Sequence, residues 1–138
     1  MRRLYHLALA VAVLASAAVL SSCRENFQQR CAREASEHTA KYCPQMIDLY
    51  QTLDSMTYSA EPAGFNYYYS MSGLMDTVSV YSDEAALLDI KLKMLDGLKS
   101  NISMQPYIEH DMTFSYFYRS ATTGQLYATI ELKPEDYH

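Results

Sequence analysis

The residues that could do chemistry in this chain are three thiols, four imidazoles and scattered carboxylates. Glu109-His110-Asp111 offers three metal-binding or proton-transfer groups in a row. Consecutive residues of an extended segment point alternately, so they do not converge. His38 and His138 have no partner at metal-ligand spacing. Asp54-Ser55, His110 and Asp111 can be assembled on paper into a triad. The chain has neither a strained nucleophile turn nor a glycine-rich loop to support one. Gly64, Gly73, Gly97 and Gly124 are scattered turn or tolerated glycines. The expectation is therefore no enzyme, no catalytic residue, no metal site and no cofactor.

The thiol with a readable role is Cys23. Arg2 and Arg3 open the chain, and an apolar run from Leu7 to Leu20 follows, broken only by Ser16. A basic start, an apolar stretch of that length and a small-residue exit make a secretory signal. Spanning a bilayer takes ~20 apolar residues, and this run is shorter. Its exit, Leu20-Ser21-Ser22-Cys23, resembles the lipobox of bacterial lipoproteins. The resemblance covers the first 23 residues and implies cleavage before Cys23 and a diacylglycerol on its thiol. Each buried lipid CH₂ contributes ~0.8 kcal/mol, so two or more chains anchor stably. Arg24 follows the cysteine, where an aspartate would argue for inner-membrane retention. An outer-membrane site is implied, with the side the domain faces left open.

Loss of residues 1–22 leaves 116 residues, one domain with a tether. That length suffices for an independent core. Arg2 and Arg3 leave with the signal, so 9 basic residues face 16 acidic ones, a net of −7. An acidic domain is a poor partner for nucleic acid, whose affinity rests on phosphate neutralisation. It is equally unsuited to lie on an anionic membrane by charge, so the lipid should hold it there. Cys31 and Cys43 remain. In an oxidising compartment they can pair. On one unbroken helix they would stand ~18 Å apart, and a disulfide needs Cα atoms within ~7 Å. Pairing therefore requires the chain to turn back between them. The alternative is two unpaired thiols.

The elements that must position these groups read as follows. Residues 24 to about 29 are polar and suit a flexible tether. Phe27, Cys31 and Ala35 share a narrow apolar stripe, predicting a helical turn or two before Pro44. An extended entry and a strand over Leu53–Ser59 follow. Glu61-Pro62-Ala63-Gly64 is a turn, and Phe65 to Met71 alternate as a strand. Thr77–Tyr81 is β-like. Ser82 caps a helix from Asp83 to about Ser100, with acidic residues in its first turn. Leu87, Leu88, Leu92, Met94, Leu95, Leu98 and Ile102 form its apolar face. Lys91 sits inside that arc, either with its stem packed and its ammonium at the edge or in a buried ion pair with a carboxylate from the sheet. Met112 to Arg119 is the clearest strand. Ser120–Gly124 turns, and Leu126 to Lys133 forms a second strand that Pro134 stops. Met71, Met75, Met94, Met104 and Met112 read most simply as core fill, with the lining of an adaptable groove as the alternative.

The fold expected is α+β. An antiparallel sheet built from two hairpins carries one amphipathic helix on a face, in the order β-β-α-β-β, after a short N-terminal helical segment. The boundaries are a signal over 1–22, a lipidated tether and helical segment over 23–43, and the α+β domain over 44–138.

Thirteen tyrosines and no tryptophan are the compositional oddity. Tyr67 and Tyr69 share a strand face with Phe65, and Tyr116 and Tyr118 share one with Phe114. These can fill the space under the helix. Tyr68, Phe117 and Tyr127 fall on the other faces and are the candidate platform for a partner or glycan. Strand edges offer a second mode, in which a partner adds a strand.

The downstream chain also has a loose resemblance. Cys43-Pro44, Ile47-Asp48, Leu53-Asp54-Ser55, a tyrosine-rich strand, Thr113 to Tyr118 and a closing Pro134-Glu135-Asp136-Tyr137 look like small uncharacterised envelope lipoproteins of Gram-negative bacteria. That resemblance brings no activity and no site residues. Two function classes stand: a lipid-tethered module that binds another envelope protein or a glycan, and a small envelope enzyme or enzyme inhibitor without a readable motif.

Overall fold

The computed structural model describes residues 24–138. The signal segment 1–22 and the lipidation residue Cys23 lie outside the described residues. The described residues divide into two units, 24–30 and 31–138. In the first, Gln29 N donates to Asn26 Oδ1 at 2.8 Å and Asn26 N donates to Gln29 Oε1 at 3.1 Å. This reciprocal cap satisfies backbone donors at the start of α1 (Phe27–Tyr42), where a flexible tether was expected.

Residues 31–42 of α1 belong to the second unit. The helix is 16 residues long, not a turn or two. Ala, Glu, Arg, Gln and Lys supply its propensity, and Arg33 pairs with Glu37 one turn on at 3.0 Å. Its two buried residues are small, Cys31 and Ala35, so the helix comes close to the sheet side of the core. Cys31 Sγ lies 4.0 Å from Met112 Sδ. Thr39 Oγ1 donates to Met56 O at 2.7 Å and accepts from Met56 N at 2.8 Å. This stretch thus packs with residues of the core. The same helix settles the thiols. Cys31 and Cys43 stand at opposite ends of an unbroken run of turns, ~18 Å apart by helical rise. Both are free. The reversal of chain that a disulfide requires is absent, so the pairing weighed above is not made.

Strands β1 (Gln45–Met46), β2 (Gln51–Ala60), β3 (Ala63–Met71), β4 (Thr113–Ser120) and β5 (Leu126–Leu132) form one open sheet in that order. β2 with β3 and β4 with β5 are antiparallel hairpins. β3 and β4 run parallel. The expected antiparallel sheet is therefore corrected to a mixed one. Parallel neighbours need a long crossover. It contains α2 (Val78–Tyr81), α3 (Glu84–Ser100) and α4 (Gln105–Ile108), with single 3₁₀ turns at Gly73–Met75 and Ile102–Met104. A last turn, α5 (Pro134–Tyr137), closes the chain. The fold is mixed α/β, with two long helices where one was expected.

Three local expectations are corrected. Val78–Tyr81 is helical, not β-like, with Thr77 as its extended N-cap, and Tyr81 stacks there on Tyr118 and Tyr127. Asp83, not Ser82, caps α3: its Oδ1 accepts from Ala85 N at 3.0 Å and Ala86 N at 3.2 Å. The inward stripe of α3 is narrower than its apolar arc. Leu98 is buried and Leu87, Lys91, Met94 and Leu95 are half-buried, while Leu88 and Leu92 are exposed. Lys91 Nζ lies 2.9 Å from Asp136 Oδ2. The ion pair is made, with α5 rather than the sheet supplying the carboxylate.

Phe65, Met71, Met112, Phe114, Ile130 and Leu132 form the buried centre. Tyr137 of α5 packs on Phe114 and donates from its hydroxyl to Met112 O at 2.6 Å.

Candidate functional site

Period-two alternation splits the sheet into two chemically different faces. Tyr107 packs on Phe65, Tyr81 on Tyr118 and Tyr137 on Phe114, so the helices cover the face bearing those rings. The opposite face presents registered rows. Ser55, Tyr68, Phe117 and Thr129 lie side by side across four strands. Thr57, Asn66, Ser115 and Glu131 form the next row. Ser70 and Arg119 pair on the other side.

Tyr68 and Phe117 therefore meet at the middle of the open face. Their rings stack 5.0 Å apart at 11°, and both are half-buried. Their outer neighbours, Ser55 and Thr129, are short, which leaves the outer ring faces uncovered. Ser70 Oγ donates to Asp54 Oδ1 at 3.0 Å, and Asn66 Nδ2 donates to Thr57 Oγ1 at 3.4 Å. Two held acceptors thus flank Tyr68 along the strand. Asp54 is the extra residue of a bulge, since Leu53 opposes Tyr69 and Ser55 opposes Tyr68. The bulge puts Leu53 and Met56 on the helix side and Ser55 on the open side.

Tyr127, the third platform candidate, is elsewhere. Tyr118 opposes Ala128 and Arg119 opposes Leu126, so Tyr127 is the extra residue of a second bulge. The bulge carries it to the helix side, where it stacks on Tyr81 at 5.1 Å and its hydroxyl donates to Asp76 Oδ1 at 2.8 Å. It ends a row of six stacked rings. Tyr67 meets Tyr116 at 4.9 Å, Tyr116 meets Tyr69 at 6.5 Å, and Tyr69 meets Tyr118 at 5.4 Å. Tyr81 bridges Tyr118 and Tyr127. Burial, then the neighbouring phenols, pushes the hydroxyls of Tyr67, Tyr116 and Tyr118 far up.

Asp76 locks the crossover to the β4–β5 turn. Its Oδ2 accepts from Thr122 Oγ1 at 2.7 Å and from Thr122 N at 3.3 Å. Bonds from Ser120, Thr122 and Tyr127 hold its carboxyl down to about 2. A depressed folded value means stability present above the unfolded carboxyl value and lost as pH falls through the folded one. Urea midpoints should therefore drop between about pH 4 and pH 2 more steeply for the native chain than for Asp76→Asn. Parallel profiles would show that the lock contributes nothing.

On the helix side, a groove of about 500 Å³ is lined by Glu34, His38, Met56, Phe65, Tyr67, Ser103, Met104 and Tyr107. Glu34 and His38 lie one turn apart on α1, and Glu34 Oε2 accepts from Tyr107 OH at 2.8 Å. This acid–imidazole–hydroxyl set was not legible in the sequence, where Glu34 and Tyr107 are 73 residues apart. Only the i, i+4 spacing of Glu34 and His38 could have hinted at it. Ser103 Oγ donates to Asn101 Oδ1 at 2.6 Å, not to His38. A serine nucleophile with its base is thus not assembled.

Glu109, His110 and Asp111 lie in the turn ending α4, not in an extended segment. His110 Nδ1 is 2.7 Å from Pro106 O, and Asp111 meets His138 at 2.9 Å. The paper triad is not brought together: Asp54 bonds Ser70, far along the sheet from this turn. Among the described residues, no group of three or more His, Cys, Asp or Glu could hold a metal ion.

With this geometry in place, the family is clear. Residues 26–128 match the domain of unknown function DUF8479, and the chain belongs to that family. The matched segment includes both sheet faces and the crossover between β3 and β4. No curated protein matches the chain in sequence. In structure it is similar to a protein from Pseudomonas aeruginosa described as a "putative secreted protein". The TM-score is 0.65 at 13% identity, covering 80% of this chain and 92% of that one. The likeness is one of fold.

Proposed function

We propose that this chain is a lipid-anchored binding module of the cell envelope, not an enzyme, and that it meets its partner on the open face of the sheet. The observation that carries this reading is the Tyr68–Phe117 pair. Two large rings stand together on a face where the helices make no ring contacts, amid hydroxyls and amides. Aromatic residues with an apolar body and a polar rim are enriched where surfaces bind partners. The lipobox-like Leu20-Ser21-Ser22-Cys23 supports the anchor. Secretion fits the description of the Pseudomonas aeruginosa neighbour. Among the described residues, no helix is long and apolar enough to cross a membrane.

A second reading, a small envelope enzyme or inhibitor, rests on the helix-side groove with Glu34, His38 and Tyr107. The Ser103–Asn101 bond counts against it.

The test is photo-cross-linking in intact cells from a benzophenone side chain at position 68, at 117 and, as a control, at 96 on the exposed side of α3. One abundant envelope component trapped from 68 and 117 but not from 96 is expected. Equal trapping from all three positions, or none, would remove the open face from the function. Intact mass of the same protein should show an acylated N-terminal Cys23; an unmodified start would end the lipoprotein reading.

A further inference from the structure

We propose that the outer edge of β5 and the groove between it and α3 form a binding site for an extended polypeptide segment, which adds to the five-stranded sheet as a further strand. The site does not depend on the reading of the open face, since its walls are a strand edge and a helix.

The two edges of the sheet are finished differently. At one, β1 pairs with Leu53 and Thr52 of β2, and beyond it Thr39 Oγ1 of α1 bonds both the N–H and the C=O of Met56. At the other, β5 is the last strand and pairs only with β4. Natural sheets blunt an open edge by shortening it, covering it, or placing proline, lysine or a bulge in it. β5 is seven residues long. Past its bulge at Tyr127 it runs through Ala128, Thr129, Ile130, Glu131 and Leu132 with no proline or lysine, Glu131 being its one charge.

A groove of about 560 Å³ follows this edge. Thr129, Ile130 and Glu131 line one wall, and Leu87, Leu88 and Lys91 of α3 line the other. Consecutive strand residues point to opposite faces. Three in a row therefore line one groove only where it runs along their backbone. That wall is a row of N–H and C=O groups with no strand beside it. An extended polypeptide matches such a row at strand spacing, and neither a glycan nor a lipid does. Leu88 is 56% exposed, and Leu92 one turn on equally so. Alternate side chains of an added strand turn toward α3 and take Leu88 out of water.

Charge selects among polypeptides. Lys91 is held by Asp136 at 2.9 Å and Lys133 faces Glu131 at 3.5 Å, so both cations of the groove are paired. Glu135 also lines the groove and has no ion-pair partner among the described residues. The side chain that completes the site is thus a lysine or arginine near α5. A second copy of this chain brings its own net negative charge and the same unpaired Glu135 to the edge. The occupant is therefore a segment of another protein, alternately apolar and polar, with a basic residue at its α5 end.

The test is panning of random nonapeptides displayed on phage against the full native chain, with the enriched sequences then made as labelled peptides for fluorescence anisotropy. Enriched peptides should alternate apolar and polar residues and carry lysine or arginine near one end. An added strand points every second N–H at the sheet. Methylating that set of peptide nitrogens should weaken binding at least about tenfold, and methylating the other set should leave it within about threefold. Leu88→Ser should weaken it about tenfold through lost apolar cover, and Glu135→Gln about threefold through loss of an exposed charge pair. Leu74→Ser, at an exposed leucine outside the groove, should leave it unchanged. Circular dichroism confirms that each variant is folded. Failure to enrich any sequence would overturn the proposal, as would binding that either Leu88→Ser or both sets of methyl groups leave unchanged. Sedimentation of the chain alone should give a monomer; a dimer that Leu88→Ser dissociates would overturn it too and give the edge to a second copy. Cross-linking from position 68 reads the open face two strands further in, so either site can fail without the other.

Discussion

Gly64→Ala should destabilise the protein by about 3 kcal/mol or more, while Gly97→Ala should stabilise it. Gly64 lies at the start of β3, opposite Thr113 in the parallel pair. A Cβ built there would sit 2.1 Å from Thr113 O and 2.9 Å from its carbonyl carbon. Those atoms are backbone, so no rotamer change relieves the clash. Either the first residues of β4 move away from β3 or β3 itself shifts. Thr113 precedes the buried Phe114, so displacement there reaches the centre of the core. Overpacking a tight site costs ~1–3 kcal/mol when side chains can adjust, and more when they cannot. For a domain of this size, ~3 kcal/mol corresponds to a fall in Tm of roughly 10–20 °C. Gly97 is the internal control. It lies within α3 with no atom within 4 Å of its would-be Cβ. Alanine there gains ~0.5–1 kcal/mol of helix propensity. Thermal unfolding of the two variants should give shifts of opposite sign. A Gly64→Ala protein that melts with the native chain would mean that β3 and β4 do not pair in this register.

Phe114→Ala should cost about 3–5 kcal/mol, in the range for deleting a fully buried aromatic ring. Phe114 is 0% exposed. It stands in β4 between Phe65 of β3 and Leu132 of β5. Tyr137 roofs it at 6.3 Å, held by its hydroxyl bond to Met112 O. Burial and the nearby Asp111 and Glu135 carboxylates push that hydroxyl up to about 12, so the bond keeps its proton across the neutral range. Removing the Phe114 ring opens a void under α5 that the paired strands cannot close. Single domains have only ~5–15 kcal/mol in total, so the loss is a large share. Urea unfolding reads it as a lowered midpoint at unchanged slope. Phe117→Ala is the comparison. It removes a similar ring from the open face and should cost clearly less, because that ring is half in water. Equal losses would place Phe117 in the core and take away the basis for a binding platform.

Tyr68 and Phe117 were legible as a pair pointing away from the helix because alternation is local. The side of each residue follows from its neighbours two positions away. Tyr127 was misplaced by the same rule, since one bulged residue between Leu126 and Ala128 switches the face of all that precede it. Asp54 carries the same lesson in β2. The even spacing of Leu53 with Ile47 and of Met56 with Asp54 reads as two separate sets. The bulge joins Leu53 and Met56 into one buried side. α1 was underestimated because only two of its sixteen residues are buried, and both are small. A helix that packs through Cys31 and Ala35 leaves almost no apolar period to detect.

By itself, the sequence determined the hairpins, the amphipathic α3, the acidic charge, and the signal-like start with its lipobox resemblance. Each of these rests on interactions within a few residues along the chain or on composition. Only the tertiary structure decided that β3 and β4 lie parallel, that Cys31 and Cys43 are held apart, that Lys91 meets Asp136, and which sheet face the helices leave open. Strands β3 and β4 are separated by the whole crossover, and nothing local to either records its neighbour. Their pairing is set by how the crossover packs back onto the sheet. That packing is what puts Tyr68 beside Phe117.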